Sequence, residues 1–324
     1  MTDGALEIGI TPWEFPTRAG SEPLCSQAER AEQLGFHSFW LPEGHFSGAN
    51  AIPQPLLWLA AIASRTTRLR LGTTSYLLPI RHPLQVAEEV AVLDRLSNGR
   101  VILGVGRGFR KSLFSAFDVD RGAKRDLFEA ALAVMRDAWA GRPVAPDSDL
   151  PGAPSVLAPR PVQDPHPPIW VAAFGPKALE QAGRLGLPYL ASPIESEAAL
   201  TANYAMHRQT LAQHGHDAVG MAVPIMRTVF AHPDAAVVSR VRDALQRQAI
   251  ALGSSASAVL RRSGSADAED FAILGEPSRV RDEVLRHREK LGMTHLIART
   301  QVPGTDEHER LTALEALASL GIVP

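Results

Sequence analysis

Short runs rich in β-branched and aromatic residues alternate with longer segments of helical period along almost the whole chain, an alternation that points to parallel strands joined by crossover helices. A first strand is predicted over Leu6–Trp13, followed by a helix in "SQAERAEQLG" with Gly35 as its C-cap. A strand over Ser38–Glu43 leads into the helix "QPLLWLAAIASRT", whose prolines sit near its start, where a missing N–H matters least. A third strand, Leu69–Pro79, precedes the helix "PLQVAEEVAVLDRLS", and a fourth, Val101–Gly108, precedes an amphipathic helix ending at Gly141. After a proline-rich connection without periodicity, Arg142–Pro168, the alternation resumes with "IWVAAFG" and "PYLASP". Strands seven and eight are expected at Ala222–Ala231 and His295–Thr300, and a helix around "ERLTALEALASLG" closes the chain.

Eight strand-helix units in 324 residues predict an α/β fold, a single (β/α)8 TIM barrel over 1–324 rather than an open doubly wound sheet. The Ser/Ala-rich piece Gly253–Asp270 is an insertion before the last helix-strand unit, and it reads equally as a surface linker or as a mobile lid at the barrel mouth. In a barrel the chemistry belongs at the C-terminal ends of the strands, which selects "EGHF", "TTSY", "RGFR", "AAFGPK" and "SP".

Composition narrows the ligand. A formal net charge of -2 with 21% charged residues points away from nucleic acid and toward a small neutral or anionic molecule. Cys25 is the only cysteine, which excludes an internal disulfide and a thiolate metal cluster and suits a reducing compartment. The opening residues lack a signal-peptide pattern and no stretch reaches membrane-spanning length, so a soluble cytoplasmic protein is expected. The histidines show no metal-binding spacing, no metal site is expected, and no G-x-S-x-G elbow suggests a serine hydrolase.

The stretch "LGVGRGFR" fits neither the dinucleotide nor the triphosphate glycine fingerprint, because Gly104, Gly106 and Gly108 simply alternate around Arg107. On its own it reads as a small-residue strand whose arginine pairs with a carboxylate, or as a strand end that presents a guanidinium to a phosphate.

The blocks "AEQLGFHSFWLPEGHF", "RLRLGTTSYLLPIRHPLQVAEEVAVLDRLSNGR", "LGVGRGFR" and "PPIWVAAFGPKALEQAGRLGLP" resemble, in order and spacing, the bacterial-luciferase-like superfamily of flavin-dependent oxidoreductases. The resemblance implies a (β/α)8 barrel, a reduced flavin and a homodimer. It assigns the flavin phosphate to Arg107, flanked by Gly106 and Phe109, and to the segment holding Ala173, Phe174, Gly175 and Ala178. A guanidinium offers a phosphate paired, charge-assisted donors, and a helix start adds backbone N–H groups. The resemblance also implies a cis peptide at Thr74–Ser75 whose bulge supports the isoalloxazine ring, and it places Glu43 at the flavin edge or on neighbouring backbone.

Departures from the family pattern sharpen the expectations. Many oxygen-using relatives carry two histidines after the glutamate, whereas here Gly44 replaces the first and His45 matches the second. His45 is the candidate catalytic residue, as a proton donor or acceptor near neutral pH, with a structural role bonding the first helix as the alternative. Gly175 and Ala178 stand where relatives often have hydroxyls, and Leu113 and Asp118 alter a loop on the substrate side. Trp13, Phe46, Phe109 and Phe114 are candidates for a dry wall, and His82 for a helix-start cap.

Three functions compete. The first is an FMN-dependent monooxygenase that takes reduced FMN from a separate flavin reductase and uses O2 to oxidise an apolar small organic substrate. The second is hydride transfer with a deazaflavin coenzyme, and the third a flavin-binding barrel without catalysis. The helix "PLLWLAAIAS", apolar nearly all round, is the expected dimer contact.

Overall fold

The computed structural model describes residues 5–15, 20–46, 48, 51–145, 155–255 and 267–321. It divides into two compact units, one of residues 1–14, 30–40 and 171–324 and the other of residues 15–29 and 41–170. The strands are β1 (Glu7–Ile10), β2 (Ser38–Leu41), β3 (Arg70–Thr73), β4 (Tyr76–Leu77), β5 (Val101–Gly106), β6 (Pro143–Ala145), β7 (Ser155–Val156), β8 (Ile169–Ala172), β9 (Tyr189–Leu190), β10 (Pro224–Ala231), β11 (Ala272–Gly275) and β12 (His295–Arg299). The pairs β1–β12, β1–β2, β10–β11, β10–β12, β3–β5, β4–β5 and β8–β9 are parallel and the β6–β7 ribbon is antiparallel, and helices separate most strands in sequence, so the α/β class expected from the alternation holds.

In the first unit β12 lies between β1 and β10, with Ile8 opposite Leu296 and Ile225 opposite the same Leu296. Every residue of β10 is buried, as a strand covered on both faces requires. The other edge of β10 takes Ala191 at Ile225, beside the β8–β9 pair, and β11 along Thr228–Ala231. β11 was not expected, and it makes His295–Arg299 the strand after an extra one. The helix Ala235–Ser255 packs on this region through Val238, Val241 and Leu245 against Phe230, Phe271 and Leu274. Residues 256–266 of the expected Gly253–Asp270 insertion lie outside the described residues.

A buried polar network ties β9 and β10 to the helix Glu197–Gln213. The Glu195 carboxylate accepts hydrogen bonds from Tyr189 Oη to both oxygens (2.8 Å), Ser192 N (2.7 Å) and Asn203 Nδ2 (2.6 Å). Arg227 donates to the Glu195 carbonyl. Burial outweighs these partners and Arg227's charge, and raises the Glu195 carboxyl to about 7.

In the second unit the expected strand Leu69–Pro79 is interrupted. β3 and β4 each pair with β5, Leu71 opposite Val101 and Leu77 opposite Gly106, and a 3-10 turn over Leu78–Ile80 follows. The helix Lys124–Trp139 buries Phe128, Ala131, Leu132, Met135, Ala138 and Trp139, the spacing its amphipathic pattern predicts. It packs on the helix Pro83–Leu96, where Trp139 Nε1 donates to the Ala87 carbonyl at 3.0 Å.

Two further expectations are corrected in this unit. The connection Arg142–Pro168 is not wholly irregular, since it contains the β6–β7 ribbon. It is also anchored by the buried Asp94, whose carboxylate accepts from Val162 N (2.8 Å), Gln163 N (2.9 Å) and Gln163 Nε2 (2.7 Å). The segment after Arg110, read as a loop, forms the helix Lys111–Ala116, because Leu113 and Phe114 gain burial by lying on one face.

Candidate active site

β5 ends in the alternating glycines and delivers Arg107 into a buried setting, 7% exposed, with its guanidinium 5.2 Å from the Phe128 ring centre. Burial, reinforced by Arg125 and opposed by Glu129, lowers the Arg107 guanidinium to about 10. The surroundings therefore disfavour the cation, and an anion bound there would relieve that penalty. Gly108 then turns the chain at φ +71, a conformation that L side chains rarely adopt. Its carbonyl accepts from Lys124 Nζ at 3.0 Å. The Lys124 ammonium is itself held below its ordinary value by burial and then by Arg121, Arg107 and Arg125. Lys124 and Arg125 lie at the start of an amphipathic helix, where the helical period alone does not single them out. The signal available was two adjacent cations at that helix start.

Beside Gly106 the chain breaks between β3 and β4. Thr73 Oγ1 donates to the Gly104 carbonyl at 2.7 Å, and the Thr74–Ser75 peptide bond is cis, as the resemblance implied. Ser75 Oγ lies 2.2 Å from where a Cβ on Gly106 would stand, so the Ser75 side chain fills the space over that glycine. Among the described residues the buried Thr74 Oγ1 has no hydrogen-bond partner. An unsatisfied buried hydroxyl disfavours the structure by about 1–3 kcal/mol, a penalty that a bound polar group at Thr74 would relieve. A buried hydroxyl with an open bonding position and a buried guanidinium are donor types that fit the polar ring edge and the phosphate of a flavin mononucleotide.

After β2, Glu43 and His45 form a second cluster. The Glu43 side chain is fully buried, and its carboxylate accepts from His45 Nε2 (2.5 Å), Arg81 Nη1 (2.8 Å) and Leu77 N (2.8 Å). Glu43 thus bonds to neighbouring backbone, one of the two expected roles, while holding His45. Gly44 N donates to the Ile52 carbonyl at 3.0 Å. The His45 ring lies 5.8 Å from Phe46 and 5.1 Å from Phe117.

The candidate dry wall separates into two classes. Phe46 is 71% exposed at φ +58 and Phe109 is 59% exposed, whereas Trp13 and Phe114 are core residues. Phe117, absent from that expected set, joins Phe46 over His45. His82 precedes the helix Pro83–Leu96, but its side chain makes no capping bond.

Ala173, Phe174, Gly175 and Ala178 belong to the first unit. There Gly175 (φ +88) is the N-cap of the helix Pro176–Arg184, whose start has no side-chain cap. Ala173 is buried, and Ala178 N donates to the Gly175 carbonyl at 3.0 Å. Elsewhere in that unit, Glu197, Glu283 and His287 bring ligand-type atoms within 4.8 Å of one another, but Arg286 bonds both glutamates and Lys290 bonds Glu197. Among the described residues no helix is long and apolar enough to cross a membrane.

A sequence profile described as luciferase-like monooxygenase matches residues 10–295. The chain belongs to this family. The oxygenase component of a flavin-dependent trigonelline monooxygenase from Acinetobacter baylyi is 31% identical over 173 residues, 53% of this chain and 47% of the relative. The chain spans about half the length of the curated relatives it matches first. The crystal structure of the monooxygenase RslO1 from Streptomyces bottropensis superposes with a TM-score of 0.79 at 27% identity, covering 97% of this chain and 98% of that one. Two more distant likenesses, both at 20% identity, show the fold alone. One is the oxygenating constituent of 3,6-diketocamphane monooxygenase from Pseudomonas putida in complex with FMN, with a TM-score of 0.79 over 99% of this chain and 98% of that one. The other is an F420-dependent secondary alcohol dehydrogenase, with a TM-score of 0.75 over 97% of this chain and 99% of that one. These luciferase-like neighbours share the (β/α)8 class expected from the sequence.

Proposed function

We propose that this luciferase-like chain is a flavin-dependent monooxygenase that takes reduced FMN from a separate reductase and oxidises an apolar small organic substrate with O2. The observation that carries the reading is Arg107, a guanidinium buried at the end of β5 in the position that the family resemblance assigns to the flavin phosphate. The name of the trigonelline relative, an oxygenase component, supports the separate reductase. When bound, reduced FMN supplies the electrons that activate oxygen for insertion into the substrate.

The residues of the chain do the rest. Arg107 holds the phosphate, Ser75 and Gly106 shape the backbone beneath the ring, and the Thr74 hydroxyl gains a partner in the flavin edge. Glu43 holds the His45 ring through Nε2, and the imidazole is the group that donates or accepts a proton. Phe46 and Phe117 shield the histidine from water and supply an apolar surface for the substrate. With Gly44 in place of the first of the family's two histidines, His45 carries this task alone.

The fold serves FMN and F420 proteins alike, so it does not separate the flavin reading from the deazaflavin one. Titration with reduced FMN and with a deazaflavin, followed by oxygen-uptake measurements, separates them. Tight FMN binding with substrate-dependent oxygen consumption is expected. Turnover with the deazaflavin alone overturns the proposal, and flavin binding without any turnover leaves only a binding protein.

We also propose a homodimer in the cytoplasm. Leu57 on the helix Pro55–Ala63, with Val92 and Leu96 on the helix Pro83–Leu96, leaves large apolar groups 70%, 43% and 60% exposed, which a second copy would cover.

A further inference from the structure

We propose that Arg81 is a positioning residue for His45: its guanidinium takes up the charge of Glu43 and so leaves the imidazole neutral and ready to accept a proton; this rests on the flavin reading above. Glu43 Oε1 accepts from both His45 Nε2 (2.5 Å) and Arg81 Nη1 (2.8 Å), so the two side chains compete for one oxygen. The Glu43 side chain is fully buried and that of Arg81 is 10% exposed, which leaves little water to screen the charges. A carboxylate alone favours the imidazolium, because an opposite charge in contact stabilises the charged form. A guanidinium on the same oxygen opposes that bias, since it neutralises the carboxylate and stands beside the ring as a like charge.

Further bonds hold Arg81 in place. Nη1 also donates to the Leu77 carbonyl (3.0 Å), and Nη2 donates to the Pro53 carbonyl (3.3 Å) and Gln54 Oε1 (3.2 Å). The guanidinium lies 4.0 Å over the Tyr76 ring, whose hydroxyl donates to Glu89 Oε2 at 2.7 Å. Tyr76 belongs to β4, opposite Val105, so the stack is anchored in the sheet. The elements packed around the pair add other titratable groups. His82 and Glu89 line a cleft with Arg81 and Phe117, and Arg110, Lys111 and Asp118 are exposed at the two ends of the helix whose C-cap is Phe117. Exposed charges are screened by water and Glu89 is engaged by Tyr76, so the buried Arg81 sets the balance at Glu43.

The test is an NMR pH titration of the full chain, without added flavin and with isotope-labelled histidine, in wild type, Arg81→Met, Arg81→Gln and Arg81→Lys. The His45 signal is assigned by its loss in His45→Gln. Removing the cation should raise the midpoint of the His45 titration by about one pH unit or more in Arg81→Met. Arg81→Gln keeps a donor for Glu43 without the charge; it should move the midpoint likewise, and it serves if Arg81→Met does not fold. Arg81→Lys keeps the charge and should stay near wild type. A purely structural role predicts instead that Arg81→Lys, which loses the fork of bonds, behaves no better than Arg81→Met. An unmoved midpoint in both neutral variants, equal shifts in all three, or a wild-type ring that stays charged above neutral pH would overturn the inference. Fluorescence titration with FMN keeps the two readings apart. A wild-type chain that does not bind FMN sinks the flavin reading whatever the ring does, whereas FMN binding with an unmoved midpoint sinks this inference alone.

Discussion

Replacing Glu43 by glutamine tests the cluster that orients His45. The carboxylate is fully buried and serves three donors: Leu77 N on one oxygen, Arg81 Nη1 and His45 Nε2 on the other. An amide has one acceptor oxygen. If it faces Leu77 N, the new NH2 points at Arg81 and His45; if it faces those two, the NH2 points at the Leu77 N–H. Breaking a buried ion pair from one side destabilises by about 3–5 kcal/mol. Arg81 keeps the Leu77 carbonyl (3.0 Å), the Pro53 carbonyl (3.3 Å) and Gln54 Oε1 (3.2 Å), and its guanidinium lies 4.0 Å over the Tyr76 ring. Those remaining partners bring the expected loss in Glu43→Gln down to about 2–3 kcal/mol. Urea unfolding of wild type, Glu43→Gln, Arg81→Met and the double variant measures it, with a coupling of at least about 1 kcal/mol expected between the two positions. A loss below about 0.5 kcal/mol, the range of ordinary surface changes, would refute the claim that this carboxylate holds the cluster together.

Other outcomes follow from the same geometry. Gly106→Ala places a Cβ 2.2 Å from Ser75 Oγ and 3.1 Å from Ser75 Cβ, so it should destabilise by about 1–3 kcal/mol and weaken flavin binding, read by thermal melting and titration. The Glu195 carboxyl, raised from its ordinary 4.5 to about 7 chiefly by burial, keeps its proton in the folded chain over a range where the unfolded chain has released it. Stability should therefore fall as pH rises from about 4.5 to 7 and flatten above that, with Glu195→Gln removing the slope in urea unfolding at stepped pH. Leu57→Glu should shift the sedimentation coefficient from dimer to monomer in ultracentrifugation, and an unchanged dimer would place the contact elsewhere.

What the sequence discloses here depends on how local the physics is. Strand-helix alternation and the face of the helix Lys124–Trp139 follow from periodicity, and Arg107 stands out because the glycines alternate around it. The four-residue run Ala272–Gly275 is too short and too uniformly apolar for periodicity to mark it as a strand rather than the end of a helix. Asp94 looks like a polar position on the helix Pro83–Leu96. Its burial comes from backbone donors at Val162 and Gln163, a long-range pairing with no local signal. The same holds for Glu43. The residue type suggested a carboxylate at a strand end, but the convergence of His45, Arg81 and Leu77 N on it is a product of the tertiary fold. The cis bond at Thr74–Ser75 was legible only through family resemblance, since two threonines and a serine suit an ordinary strand equally well.

Titration of reduced FMN under anaerobic conditions into wild type and Arg107→Met puts the central claim at risk most directly. Loss of paired guanidinium–phosphate bonds, each worth about 1.5–3 kcal/mol, predicts an affinity at least about a hundredfold weaker in the variant, with riboflavin binding unchanged. Equal FMN affinity in the two proteins would contradict the assignment of Arg107 as the phosphate anchor.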